Sequence, residues 1–241
     1  MKKLLLLLIF FNLHLFATQN IKEVQIVSES WEDLTNKDGT GLYFDITRAI
    51  YEPLGIKVKI KLMPYNRSMS MVEKRQADAW LGSWVDEVAY AIYPKHYFDQ
   101  DIVTAMYKKD KFPNFQGLES LKNKNVGWMR GYGYDEYLDE SIVIHERNDR
   151  KSLLLSLEKD RFDFFLDDKD DMQEAINHIK FNTAKYTFLE IMKFKLYPAF
   201  RSDRRGKELK QIWDERFKIL LKDGTLKKIY INNEYKELFL Y

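Results

Sequence analysis

The sequence predicts an α/β protein of two lobes with a similar plan, each a mainly parallel sheet flanked by helices. Strand-like and helix-like segments alternate along the first eighty residues, as in a parallel sheet with helical crossovers. The segment 72–81 also recurs at 157–166, with Glu-Lys, Asp and Leu at the same offsets. Because a polar helix leads into a short apolar strand in both places, we expect the second half to repeat the first.

The first half is predicted in the order strand, helix, strand, helix. A short apolar run at 24–27 indicates the first strand, and apolar residues at helical spacing over 42–54 indicate a helix that ends at Gly55. Apolar residues alternate with lysines over 57–62, which is the two-residue period of a strand with one wet face. A polar helix is predicted from about 67 to 76.

The rest of the chain shows the same kinds of pattern. Strands are predicted at 125–128, 142–144 and 193–200, and helices over 172–179, over 207–221 and from Thr225 to the end.

The chain is expected to pass between the lobes twice, near 107–112 and near 192–196. Lobe 1 would then comprise 18–108 together with 195–241, and lobe 2 would comprise 109–194. Ligands of open α/β sheets bind beyond the carboxyl ends of the strands, and clefts between lobes are favoured pocket sites. This places a predicted site between Gly82-Ser83-Trp84 and Asp167-Asp168.

Composition excludes several classes of protein. The 241 residues carry 39 Lys and Arg against 37 Asp and Glu, so no excess of positive charge is available for a nucleic-acid backbone. The absence of cysteine excludes disulfides, thiolate metal sites and Cys-linked lipid anchors. The four histidines lack metal-ligand spacing, and no nucleophile-elbow or P-loop motif occurs. We therefore predict no metal, no cofactor and no catalytic residue.

The N-terminus has the features of an export signal. Two lysines precede an apolar run over 4–11, and Ala17 offers a small residue for cleavage, so 1–17 is predicted to be a signal peptide cut after Ala17. The alternative is a membrane anchor, but Asn12 and His14 interrupt a run that is shorter than the roughly 20 residues needed to span a bilayer. The predicted location is the periplasm, without stable membrane insertion after cleavage.

Four segments resemble a known family, the type II periplasmic solute-binding proteins of the amino-acid ABC transporter kind, or bacterial extracellular solute-binding protein family 3. They are Asp38-Gly39-Thr40-Gly41-Leu42-Tyr43-Phe44-Asp45-Ile46, Arg75-Gln76-Ala77-Asp78, the stretch 118–127 and the stretch 222–230. The resemblance implies two lobes joined by two hinge strands that close around a small polar ligand. It also implies an ABC permease or a membrane sensor as partner.

The resemblance and the residues together suggest ligand groups in lobe 1. Trp31 stands where the family places an aromatic that covers the ligand, and Gly82-Ser83-Trp84 matches the segment that holds the ligand. Tyr65 and Arg67 follow the second strand at a helix start, from which Arg67 could fork onto a carboxylate. The alternative for Arg67 is a solvated charge.

In lobe 2, Arg130, Gly131 and Tyr132 are predicted to open a helix whose free N–H groups would bind an anion. Asp168 lies at the offset where the family carries the acid that pairs with a ligand ammonium, and its neighbour Asp167 is the alternative. Carboxylates are also favoured at a helix start without any ligand.

The sequence departs from the family at one informative point. Amino-acid binders continue after the Ser83-Trp84 position with a Thr-x-x-Arg whose Arg grips the ligand carboxylate, whereas this chain has Val85-Asp86-Glu87. A standard amino acid is thus a doubtful ligand unless Arg67 or Arg130 substitutes.

We predict a periplasmic binding protein, not an enzyme, that captures a small polar or zwitterionic solute for an ABC importer. One alternative is a cyclohexadienyl-dehydratase-like periplasmic enzyme, for which Asp168 and Glu87 are the visible acid–base candidates. The other is a stand-alone sensory ligand-binding module.

Overall fold

The computed structural model describes residues 21–235, which form nine strands and six α-helices. The strands are β1 (Glu23–Ser28), β2 (Lys57–Leu62), β3 (Ala79–Ser83), β4 (Ala91–Ile92), β5 (Asp99–Lys108), β6 (Asn125–Met129), β7 (Val143–Arg147), β8 (Phe164–Asp168) and β9 (Tyr186–Arg201). The α-helices are α1 (Leu42–Tyr51), α2 (Tyr65–Glu73), α3 (Arg150–Glu158), α4 (Lys169–Ile179), α5 (Arg204–Lys222) and α6 (Thr225–Asn232). Short 3₁₀ turns occupy Glu52–Leu54, Leu118–Leu121 and Tyr134–Tyr137.

The predicted fold class, a two-lobed α/β arrangement of sheets and helices, is confirmed. In the first sheet β1 lies between β2 and β3 and runs parallel to both. In the second sheet β6 lies between β7 and β8 and again runs parallel to both. The second half therefore repeats the first in its strand order, with one central strand parallel to a neighbour on each side.

The repeated segments 72–81 and 157–166 make the same connection from helix to strand. Each helix ends in a residue with left-handed backbone at the same offset, Arg75 with φ 58° and Asp160 with φ 54°. Left-handed backbone costs an L-residue about 1–2 kcal/mol, so both turns depend on stabilising contacts nearby.

The repeated aspartate supplies those contacts in both halves. The backbone N–H of Asp78 donates to the Gln25 carbonyl at 2.9 Å, and its carboxylate accepts the Gln25 N–H at 2.9 Å. Asp163 exchanges the same two bonds with Asn125, at 2.7 and 3.1 Å. Each aspartate thereby ties the start of its strand to the central strand of its sheet.

Strands β5 and β9 join the two sheets. Ten residues of β5 pair antiparallel with β9, from Asp99 opposite Leu196 to Lys108 opposite Tyr186. From Tyr197 onward β9 pairs instead with β3 and β4 of the first sheet. The lobe boundaries predicted at 108/109 and 194/195 fall at the end of β5 and within β9, and they remain a prediction.

Two local predictions differ from the structure. No α-helix starts at Arg130: β6 ends at Met129, a turn follows, and only the short 3₁₀ turn Tyr134–Tyr137 is helical. Gly131 and Gly133 have φ of 86° and 60°, which breaks a helix before it can begin. Strand β5 was not predicted. Its first three residues, Asp99-Gln100-Asp101, are polar, so the buried residues that follow do not stand out as a strand in the sequence.

The predicted helices are otherwise present, and their ends have physical causes. Gly55, with φ 74°, ends the turn after α1. Asp149 and Asp203 cap α3 and α5 by accepting the N–H groups of Ser152 and Gly206. Within residues 21–235, none of the helices is both long and apolar enough for a membrane span. The predicted signal peptide, 1–17, lies outside the described residues.

The Asp78 carboxylate gives a test of this fold. Its side chain is 5 % exposed and accepts from the Arg205 guanidinium at 2.7 and 2.9 Å. We expect Arg205→Met to lower the free energy of unfolding by about 2–3 kcal/mol, because it leaves a buried carboxylate without its main partner. Denaturant unfolding measures this loss.

The neighbouring Arg204 is a matched control. It is 70 % exposed and pairs with Glu208 on the same helix face. Arg204→Met should change the unfolding free energy by less than about 1 kcal/mol. Equal losses in the two variants would contradict the structural importance of the Asp78 pair.

Candidate ligand-binding site

A cavity of about 790 Å³ lies where the two sheets face each other. Gly82 at the end of β3 and Asp168 at the end of β8 both line it, so the carboxyl ends of parallel strands from both sheets point toward it. The first residues of β5 and one face of α4 complete its wall. The position is the one expected for a ligand site of an open α/β fold.

Aromatic side chains from both halves form one continuous wall of the cavity. The lining aromatics with buried side chains are Trp31, Tyr43, Tyr65, Trp84, Tyr132 and Tyr134. Neighbouring rings lie 6.2 Å apart for Trp31 and Tyr65 and 5.9 Å apart for Tyr65 and Tyr132. The second of these contacts joins the first half of the chain to the second.

Six of the eleven predicted site residues line this cavity. They are Trp31, Tyr65, Gly82, Trp84, Tyr132 and Asp168. The other five, Arg67, Ser83, Arg130, Gly131 and Asp167, do not line it. That the first six contact a ligand stays a prediction.

The two arginines expected to meet an anionic ligand lie outside the cavity. Arg67 is exposed on α2. Arg130 is 57 % exposed and pairs with Glu146 at 3.6 Å. Gly131 donates its N–H to the same Glu146 at 3.0 Å, so the N–H group predicted to bind an anion already has a carboxylate partner.

Gly131 lies instead at a contact between the halves. A Cβ at this position would come within 1.6 Å of Oδ1 of Asn66, which belongs to α2. Glycine at 131 thus allows the loop after β6 to approach the first half closely.

Ser83 is buried behind the cavity and is held by Glu87. The Ser83 hydroxyl and the Tyr65 hydroxyl both donate to Oε2 of Glu87, the latter at 2.7 Å. Burial raises the pKa of Glu87 to about 7, against the lowering effect of the Ser83 and Tyr65 hydroxyls. Glu87 lies in the segment where this sequence differs from amino-acid binders, and its side chain accepts hydrogen bonds from two hydroxyls of the chain itself.

Arg150, which sequence analysis missed, organises the second half of the site. Its Nε donates to Asp167 at 2.8 Å, and its Nη2 donates to the Tyr132 hydroxyl at 2.8 Å and to the Asp171 carboxylate. Asp167 is fully buried and is committed to this arginine. Only the local signal of a helix start at Asp149 marks Arg150 in the sequence, and a helix start does not reveal a partner seventeen residues away.

Asp168 caps α4 while it lines the cavity. Oδ1 accepts the N–H groups of Asp170 and Asp171, at 2.8 and 3.3 Å, and Oδ2 accepts that of Ile102 at 3.0 Å. Burial raises its pKa despite these bonds. Asp168 therefore has both features that the sequence suggested: it caps a helix, and it lines the cavity.

Two further carboxyls of the cavity, on β5, were not predicted. Asp99 accepts from the Tyr43 hydroxyl at 2.5 Å, and burial raises its pKa to about 6. Asp101 has no hydrogen-bond or ion-pair partner among residues 21–235. Burial, followed by repulsion from Asp168 and Asp99, raises the pKa of Asp101 well above its usual range.

The family model for the bacterial extracellular solute-binding proteins, family 3, matches residues 30–233. The chain therefore belongs to this family, as its sequence motifs indicated. No curated protein sequence gives a significant match to the chain.

Many solved structures share the fold. A substrate-binding protein of an amino acid ABC transporter has 15 % identity and a TM-score of 0.68, covering 91 % of this chain and all of its own. A histidine kinase sensor domain with similarity to periplasmic binding proteins has 20 % identity and a TM-score of 0.71, covering 87 % and 95 %. An amino acid ABC transporter substrate-binding protein from Streptococcus pneumoniae bound to L-arginine has 15 % identity and a TM-score of 0.67, covering 90 % and 96 %.

Gly82 gives a test of the aromatic wall. Its φ is 82°, and a Cβ would lie 2.8 Å from the Trp31 ring. We expect Gly82→Ala to cost about 1 kcal/mol for the left-handed backbone and a further 1–3 kcal/mol because the ring must move. Denaturant unfolding and the tryptophan emission spectrum report the two effects.

Gly55→Ala is the matched control, because its φ is 74° and a Cβ there meets nothing within 4 Å. It should show the backbone cost alone and leave tryptophan emission unchanged. Equal destabilisation by the two substitutions would contradict the close packing of Trp31 on Gly82.

Glu87 makes stability depend on pH. Its pKa is raised from 4.5 to about 7, so the folded protein holds a proton that the unfolded chain releases. This contribution is complete below about pH 4.5 and is lost as the pH rises through about 7, with an order of magnitude of about 3 kcal/mol. Glu87→Gln should therefore flatten the fall in unfolding free energy between pH 5 and pH 8, without abolishing it, because Asp99 shifts in the same direction.

Denaturant titrations at half-unit pH intervals measure that slope. Glu136→Gln is a control, because Glu136 is an exposed neighbour that acts on Glu87 only through its charge. A Glu87→Gln profile parallel to that of the unaltered protein would show that Glu87 is ionised in the folded state at neutral pH.

Proposed function

We propose that this protein is a periplasmic solute-binding protein that captures a small polar or zwitterionic solute between its two lobes for an ABC importer. The observation that carries the proposal is the cavity itself, which is lined from both halves of the chain and lies at the carboxyl ends of both sets of parallel strands. Membership of an extracellular solute-binding family supports the same function.

The connection between the sheets suits capture by closure. Only β5 and β9 lead from one sheet to the other, within the described residues, and a pair of strands can bend while each sheet stays intact. Tyr65 meets Tyr132 and Asn66 meets Gly131 across the cleft. Closure on a ligand would enclose the solute beside these contacts and present both lobes to an importer.

A periplasmic location is supported by the family and by the predicted export signal at 1–17. The Streptococcus pneumoniae neighbour is described with L-arginine, and other neighbours with histidine and glutamine, which supports an amino-acid-like or related solute in this chain.

The alternatives have weaker support. One solved structure with the same fold is described as a precursor of cyclohexadienyl dehydratase, which is the support for an enzyme. Of the two acid–base candidates, however, Asp168 caps α4 and Glu87 does not line the cavity. Neither group is positioned as a free acid or base at a substrate. A sensory module, suggested by the histidine kinase sensor domain, would use the same cavity with a different partner.

Native mass spectrometry of the protein as purified tests the proposal, since a retained solute adds its mass. Calorimetric titration of ligand-stripped protein with amino acids, peptides, amines and organic acids should then show one class binding at a 1:1 ratio. We expect Trp31→Ala to weaken that binding by about tenfold or more through loss of an aromatic wall.

Val85→Ala is the control, because Val85 is exposed beside Trp84 and does not line the cavity. It should bind as the unaltered protein does. Absence of any retained mass together with no binding in any class would contradict the proposed function.

A further inference from the structure

The charge of the cavity wall is one-sided. Eight carboxyl side chains line it against one lysine and one histidine. The lysine, Lys169, is itself paired with Glu190 at 3.2 Å. A lining of this kind places like charges near one another, and a bound cation would relieve their repulsion.

Asp101 is the lining residue that points most clearly to a cationic ligand. Its carboxyl lines the cavity without a hydrogen-bond or ion-pair partner among residues 21–235, and burial, followed by repulsion from Asp168 and Asp99, raises its pKa. Asp101 is only partly exposed, and a carboxylate that loses water without gaining a partner is costly unless a cation meets it. Within residues 21–235 no hydrogen bond or ion pair of this side chain stabilises the fold, which points to a ligand as its partner.

Donors that could hold a ligand carboxylate already hold carboxylates of the chain. Glu87 takes the hydroxyls of Ser83 and Tyr65, and Glu146 takes the N–H of Gly131. The N-terminal N–H groups of α4 are taken by its own cap, Asp168.

The guanidinium of Arg150, which bonds to the lining residues Tyr132 and Asp171, is likewise already hydrogen-bonded within the chain. Arg150 serves two carboxylates, Asp167 and Asp171, and a tyrosine hydroxyl. The indole N–H of Trp84 is buried without an acceptor among residues 21–235, and it suits a neutral oxygen of a ligand or a water.

The form of the wall favours an organic cation over a metal ion. Among residues 21–235, no three or more His, Asp or Glu side chains are grouped closely enough to hold a metal ion. The carboxyls are spread along the cavity beside aromatic rings, and rings attract alkylammonium and guanidinium groups through cation–π contacts. A volume of about 790 Å³ also exceeds what a single ion would fill.

We infer that the solute captured in this cavity is an organic cation without a carboxylate, an aliphatic amine, diamine or guanidine, which Asp101, Asp99 and Asp168 recognise by charge. This inference rests on the proposed function and narrows its ligand class. It assigns to Asp101 a specificity-determining role.

Matched ligand pairs test the inference. Calorimetry on ligand-stripped full chain compares lysine with 1,5-diaminopentane and arginine with agmatine, since each pair differs by the carboxylate alone. We expect the decarboxylated member to bind at least about tenfold more tightly, because the acidic wall repels the carboxylate and no arginine of residues 21–235 lines the cavity to offset that repulsion. Glutamate serves as the anionic probe and should not bind.

Asp101→Asn separates a ligand role from a structural one. We expect it to weaken amine binding by about tenfold or more and to leave thermal stability equal or higher, because it removes a carboxyl that Asp168 and Asp99 repel. A structural role would instead lower stability and binding together. Asp110→Asn, an exposed aspartate that does not line the cavity, should change neither.

Each outcome bears on one of the two proposals. Tighter or equal binding of the parent amino acids, binding of glutamate, or a neutral or anionic retained solute would overturn the inference and leave the proposed function intact. Unchanged amine affinity in Asp101→Asn would also overturn it. No solute of any class, by titration or by native mass spectrometry, would contradict the proposed function itself.

Discussion

The pairing of β5 with β9 is the constraint on which the rest of the structure depends. These two strands are the connections between the sheets in residues 21–235, and they pair over ten residues before β9 joins the first sheet at Tyr197. The start of β5 also forms part of the cavity wall through Asp99 and Asp101. The segment that links the halves therefore carries carboxyls of the site, so any bending of the link would move them relative to a bound solute.

Carboxylates of the chain occupy donors that would otherwise attract an anion. Glu87 binds the hydroxyls behind the aromatic wall, Asp168 caps α4, and Asp167 with Asp171 neutralises Arg150. Each of these interactions stabilises the fold locally, because a buried donor without an acceptor is costly. Together they leave an acidic cavity with few free donors, so the same bonds that stabilise the two halves also restrict the solute that the cavity accepts.

The two halves share their construction more than their sites. Asp78 and Asp163 tie equivalent strands to equivalent central strands, and the left-handed turns at Arg75 and Asp160 precede them at the same offset. Beyond the strands the halves diverge: α1 follows β1 in the first half, whereas only the short 3₁₀ turn Tyr134–Tyr137 follows β6 in the second. Backbone connections that stabilise a sheet recur, while the loops that meet at the cavity differ and give its two sides different chemistry.

The sequence by itself determined the fold class, the order of most elements, the family and six of the residues that line the cavity. These features follow from local periodicity, from turn residues such as Gly55 and from motifs that are continuous along the chain. Only the tertiary structure decided that Arg67 and Arg130 lie outside the cavity, that Arg150 holds Asp167, and that Asp101 faces the cavity without a partner. The physical reason is that the partner of a charge is set by distances between residues remote in sequence, and local patterns carry no record of those distances.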